Sequence, residues 1–256
     1  MGQRIERETM LKIFIGYDSN EIVAYHTCVQ SIIDHAVRPV SIIPICKDHV
    51  KDIYTRDRGE TESTEFSMTR FLVPYLSDYE GYSIFVDCDV IFRADPHQLC
   101  VHAMISEDYA VSVVKHHYTP KTEEKFLHQV QTKYEKKNWS SVMVFNNEKC
   151  KALTPAYVSQ ATGLELHQFK WLDSDDDIGE LPIEWNHLVG EYAPNPNAKL
   201  VHFTLGTPCF SDWKDQEHSD EWFDVMRKAT SATQASFKTI RNEVRNDPAL
   251  SFGGEW

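Results

Sequence analysis

The chain has 256 residues and a mass of 29.7 kDa, enough to bury a core without help from disulfides. Apolar residues at 41% and charged residues at 25% match globular averages and exclude a disordered or fibrous protein. Lys plus Arg is 26 against 39 Asp plus Glu, a net charge of −13; this excludes a nucleic-acid partner as the main business and directs attention to the carboxylates.

Met1 to Met10 is polar and mixed in charge and reads as a cytosolic leader, and no run of 18 apolar residues follows anywhere. Leu11 to Gly16 predicts a strand, followed by a turn over Tyr17 to Asn20 in which Asp18 or Ser19 caps a helix. That helix carries an apolar stripe of Ile22, Val23, His26, Val29, Ile32 and Ile33. Val40 to Cys46 predicts a second strand, completing a right-handed βαβ unit of a parallel sheet. Phe66 to Leu76 reads as a helix and Tyr82 to Val86 as a buried strand that stops at Asp87. Further strands are expected at Ala110 to Val114, Val142 to Phe145 and Leu200 to Phe203, with a helix over Thr122 to Tyr134.

Helical pattern resumes after Ser219 and continues to about Asn246. The fold class is therefore α/β: one domain over residues 11–218 on a mostly parallel central sheet, with a C-terminal helical extension over 219–256. Arg227, Lys228, Lys238, Arg241 and Arg245 make that tail basic, which offers a peripheral contact with a membrane surface through residues 227–245; docking on the domain is the blander alternative. The six cysteines contain no C-x-x-C pair and read as reduced thiols of a cytoplasmic protein.

The most informative segment is Ile84-Phe85-Val86-Asp87-Cys88-Asp89-Val90-Ile91-Phe92. Residues two apart in an extended chain face the same way, so Asp87 and Asp89 can aim at one point. Two such charges about 4 Å apart repel by roughly 4 kcal/mol at an effective dielectric of 20. A divalent cation relieves that repulsion, and carboxylate oxygens suit Mn²⁺ or Mg²⁺. Parallel sheets bind ligands at the carboxyl ends of their strands, which is where Asp87 lies. His202, at the end of Leu200-Val201-His202, is a further candidate ligand, although His116 and His117 are equally available by composition.

Three ordered blocks resemble the GT-A-fold glycosyltransferases of the family 8 type. They are Ile13 to Asn20 (IFIGYDSN); Ser67 to Leu76 with the Asp87-Cys88-Asp89 strand; and Asn138 to Asn146 (NWSSVMVFN) with His202 to Pro208 (HFTLGTP). The resemblance implies a metal-dependent, retaining transfer of a hexosyl group from a UDP-sugar to a hydroxyl of a glycan, lipid-linked or small-molecule acceptor. It implies Mn²⁺ (or Mg²⁺) on Asp87, Asp89 and His202. Donor contacts would come from Gly16, Tyr17, Asp18, Asn20, Arg70, Cys88, Ser140, Ser141 and Gly206. Arg70, Asp176 and Asp177 would stand near the reacting sugar, the register of the Asp173 to Asp177 run being left open. Two residues depart from the family pattern: Glu21 stands where the family has Tyr, and Thr207 precedes Pro208 where it has Lys. A haloacid-dehalogenase-like phosphatase also places D-x-D after an apolar strand, but there the motif opens the domain. A non-catalytic nucleotide-sugar-binding protein is the other alternative.

Overall fold

The computed structural model describes residues 10–59, 62–105, 108–117 and 135–231. A six-stranded sheet carries the core. Its strands are β1 (Leu11–Gly16), β2 (Val40–Ile45), β3 (Tyr82–Val86), β5 (Val111–Val113), β6 (Val142–Asn146) and β7 (Ile178–Glu180), in the order β2-β1-β3-β6-β5-β7. β6 alone runs against the rest, pairing antiparallel with β3 and β5, while β1–β2, β1–β3 and β5–β7 are parallel. The expected α/β architecture with a mostly parallel sheet is thus present. A second sheet, β4-β9-β8, is made of β4 (Val90–Phe92), β8 (His187–Leu188) and β9 (Leu200–His202). Six α-helices complete the described residues: α1 (Ile22–His35), α2 (Val73–Leu76), α3 (Pro96–Met104), α4 (Pro155–Gln160), α5 (Gly163–His167) and α6 (Ser219–Thr230).

β3 is the central strand of the larger sheet, and Ile84, Phe85 and Val86 are fully buried, as a strand covered on both faces requires. The small sheet has its own apolar cluster, where Ile91, Val201 and Phe203 meet Trp222 of α6. The chain passes from one sheet to the other through Asp87-Cys88-Asp89, so the D-x-D segment is the joint between the two.

Three local expectations are corrected. Helix α1 buries Ala24, Tyr25, Thr27, Cys28, Ser31 and Ile32, leaving Ile22, Val23 and Ile33 of the expected stripe exposed. Thr27 and Ser31 can be buried because their hydroxyls bond the helix's own carbonyls of Val23 and Cys28, and Ser31 Oγ also accepts the Phe92 N–H. Asp18 does not cap α1, whose N-cap residue is Glu21; its carboxylate instead accepts the Asn20 and Glu65 N–H groups. The Phe66 to Leu76 helix is a 3₁₀ turn (Thr69–Leu72) leading into α2. The α-helical partner of the Arg70 carbonyl would be the nitrogen of Pro74, which has no hydrogen, so Val73 N–H closes the tighter turn. The expected helix over Thr122 to Tyr134 and the tail beyond Ser231 lie outside the described residues.

Candidate functional site

Four residues meet where β3 ends. Asp87 and Asp89 face the same way, and with His202 they form a cluster whose ligand atoms all lie within 4.8 Å of one another. Cys88, between them, points into the core with its Sγ 3.9 Å from Glu21 Oε2. Burial, then Glu21 and the two Asp carboxylates, pushes that thiol well up, so it stays protonated. The sheet pairing brings His202 here: Val90 of β4 lies opposite His202 of β9, and Phe203 N–H donates to Asp89 O. His116 is close by but is not a member of the three-residue cluster; its Nδ1 is 2.9 Å from the Tyr192 hydroxyl. Burial, with His202 and His117 as neighbours, lowers its pKa to about 3.

Asp87 and His202 are held from behind. Arg70 Nη1 lies 2.8 Å from Asp87 Oδ1 and donates to Ser140 O at 2.9 Å. Its guanidinium lies over the rings of Phe66 and Phe85, 5.2 and 5.0 Å from their centroids. Asp87 N–H donates to Ser141 O, fixing the turn at the strand end. A polar relay orients His202: Ser141 Oγ donates to Asn138 O (2.7 Å), Asn186 Nδ2 donates to Ser141 Oγ (2.9 Å), and Asn186 Oδ1 is left to accept from His202 Nδ1 (2.9 Å). With Nδ1 a donor, the Nε2 lone pair of neutral His202 faces Asp89 Oδ1 at 3.3 Å. A lone pair opposed to a carboxylate is favourable only with a positive centre between them, a proton or a cation. Two carboxylates, one of them paired to Arg70, and a neutral imidazole leave a net charge of about −1, which a divalent ion turns to +1. The donor set therefore fits a hard or borderline divalent metal.

No family model matches the chain. Among solved structures, the bifunctional glycosyltransferase WbbM superposes with a TM-score of 0.61 at 13% identity, over 92% of this chain and 52% of that one, so this chain spans about half of it. The galactosyltransferase LgtC, solved with donor and acceptor sugar analogues, superposes with a TM-score of 0.54 at 10% identity over 89% of this chain and 99% of its own. The fold is that of the GT-A glycosyltransferases. Protein CDI of Arabidopsis thaliana is 44% identical over 226 residues, covering 85% of this chain and 86% of its own length. The chain belongs to the CDI family.

The remaining sequence candidates of this CDI-family chain fall into four groups. Ser140 and Ser141 lie beside the cluster, but their hydroxyls are engaged with His167 Nδ1 (2.7 Å) and the relay. Gly16, Tyr17, Asp18 and Asn20 follow β1, next to β3 in the sheet. The Gly16 backbone is approached by Phe66, whose ring carbon would lie 2.2 Å from a Cβ there; the glycine thereby seats the ring on which Arg70 stacks. Asn20 Nδ2 donates to Asp18 Oδ1, and Tyr17 packs edge-on against Tyr25. Gly206 follows β9 at φ +148°, a conformation that needs glycine, and its carbonyl accepts from Gln216 Nε2.

Asp176 and Asp177 form the fourth group and are not brought to the cluster. Ala110 N–H donates to Asp177 O, and Asn146 N–H donates to Ala110 O. Asn146 in turn pairs with Tyr82, the first residue of β3, about 13 Å of strand from Val86. The run instead caps itself: Ser174 Oγ accepts the Asp176 N–H, and Asp177 accepts the Ser174 N–H. Lys214, the first lysine after the His202 to Pro208 block, is exposed beside Asp215. Trp185 is fully buried, a core residue. Asn186 and His167 support the surroundings of the cluster through partners that lie in distant parts of the chain.

Proposed function

We propose that the chain is a metal-dependent glycosyltransferase that moves a hexosyl group from a UDP-sugar to a hydroxyl acceptor with retention of configuration. The observation that carries this reading is the buried Asp87–Asp89–His202 cluster at the carboxyl end of β3 on a GT-A fold. Asp87, Asp89 and His202 would hold Mn²⁺ (or Mg²⁺), which when bound neutralises charge on the departing nucleoside diphosphate. The chain's own residues do the rest. Arg70 fixes the Asp87 rotamer and is tied to the Ser140 carbonyl, while Asn186 holds His202 with Nε2 toward the cluster and is tied through Ser141 to the strand end. Positioning and preorganised charge are the main contributions of such a site. Gly16 to Asn20 form the loop at the adjacent strand end, where the nucleoside would sit. The acceptor would be a glycan, a lipid-linked sugar or a small molecule.

The experiment is a screen of UDP, GDP and CMP sugars for Mn²⁺-dependent thermal stabilisation of the purified chain. A tight ligand present at 100 times its Kd stabilises by about 2.7 kcal/mol. Stabilisation by UDP or a UDP-sugar in Mn²⁺ alone is the expected result; an equal response without metal, or to GDP alone, defeats the proposal.

A further inference from the structure

A second cluster of metal-binding side chains lies on the other side of Asn186, outside the site described above. His187 of β8, Glu217 and His218, the last two just before α6, present ligand atoms all within 4.8 Å of one another. His187 Nε2 is 3.1 Å from Glu217 Oε2, and His218 Nε2 is 3.1 Å from Glu217 Oε1. Ligands of a tetrahedral ion with bonds of 2.0–2.1 Å stand about 3.3 Å apart, so little movement separates this arrangement from a coordination sphere.

Three further observations point the same way. His218 Nε2 is buried and makes no hydrogen bond, although Glu217 Oε1 is within reach; the two atoms are close but not aligned as donor and acceptor. On the far side of the ring, His218 Nδ1 lies 3.3 Å from Glu221 Oε2, while Arg93 Nε holds the other oxygen of Glu221 at 2.9 Å. A carboxylate on Nδ1 leaves the Nε2 lone pair for a metal, the usual support for a ligating histidine. Finally, His218 sits at φ +62°, an uncommon conformation for a residue with a side chain, and it is this backbone that precedes α6. Glu217 is fixed independently, because Asn195 N–H donates to its Oε1 at 2.9 Å.

We propose that His187, Glu217 and His218 bind a zinc ion that clasps the start of α6 to β8, with water completing the tetrahedron. Two imidazoles and one carboxylate favour zinc, whereas the oxygen-rich Asp87–Asp89–His202 set favours a harder ion, so the two clusters differ in the metal they select. The clasp acts on the neighbouring centre through one peptide bond: His187 follows Asn186, whose amide orients His202. The ion is a positioning element and touches no reacting group.

The test uses the full chain, stripped with a chelator, supplied with equimolar Zn²⁺ and desalted before metal analysis, with Co²⁺ substitution as a spectroscopic check. One equivalent of zinc per chain and a tetrahedral Co²⁺ spectrum are expected. Zn²⁺ affinity should fall at least tenfold in His187→Ala and in the near-isosteric Glu217→Gln, and remain within twofold in Asp89→Asn. Glu217→Gln decides the matter should His187→Ala fail to fold. Zinc content at background in the wild-type chain, unchanged affinity in Glu217→Gln, or loss of zinc in Asp89→Asn would each overturn the clasp.

Discussion

The chain carries two short acidic runs, Asp87-Cys88-Asp89 and Asp175-Asp176-Asp177, and in the folded protein they have opposite characters. Asp87 and Asp89 end a buried strand and face Arg70 and His202, which are themselves buried. Asp175 is 68% exposed, pairs with Lys136 at 2.5 Å, and belongs to a turn capped by Ser174. Both runs have a cation and a hydroxyl beside them. What separates them is the solvent: water screens the second run, whereas only protein groups or a bound ion can neutralise the first.

The contrast predicts a graded series of effects. Replacing Arg70 with Met strands the buried Asp87 carboxylate and should lower stability by about 3–5 kcal/mol in denaturant melts. Asp175→Asn at the exposed run should change it by only about 0–1 kcal/mol. Equal effects would break the comparison. A second pair sharpens it at the level of support residues. Asn186→Ala removes the acceptor for His202 Nδ1–H and should weaken Mn²⁺ binding, read by calorimetry, about 10–100-fold. Ser174→Ala removes only a cap and should reduce stability by about 1 kcal/mol, with Mn²⁺ affinity unchanged.

Acid should distinguish the two regions as well. Burial, then the nearby Arg70 and Arg56, lowers the His167 pKa to about 3, against about 6.5 for an unfolded histidine. Between those values the unfolded chain binds the extra proton. Stability is therefore full above about pH 6.5 and falls as pH drops toward 3. Replacing His167 with Gln should reduce that slope without abolishing it, because His116 carries a like shift; the readout is unfolding free energy from pH 7 to 4, and an unchanged slope would place its origin elsewhere.

The same solvent argument explains what the sequence revealed. β1, β3 and β6 were legible because buried strands are apolar runs, and Asp87 and Asp89 stood out because they interrupt one. Three features were not legible. The face of α1 was misplaced because Thr27 and Ser31 satisfy their hydroxyls locally and so can be buried in place of isoleucine. The Asp176–Asp177 pair is drawn toward the centre by the family resemblance, whose register there is open, whereas its position depends on the pairing of β7 to β5, a long-range fact. Gly16 was legible as a close approach, but the approaching group is Phe66. Asn186 lies 48 residues from Asn138 and 16 from His202, so the relay that joins them exists only after both sheets have formed.

The most direct test of the central claim is UDP release from the UDP-sugar that stabilises the chain, compared between the wild-type protein and Asp89→Asn. Mn²⁺-dependent release that falls by about 10²–10³-fold in a variant of unchanged melting behaviour is the predicted result. Release that persists undiminished in Asp89→Asn, or that needs no divalent ion, would contradict it.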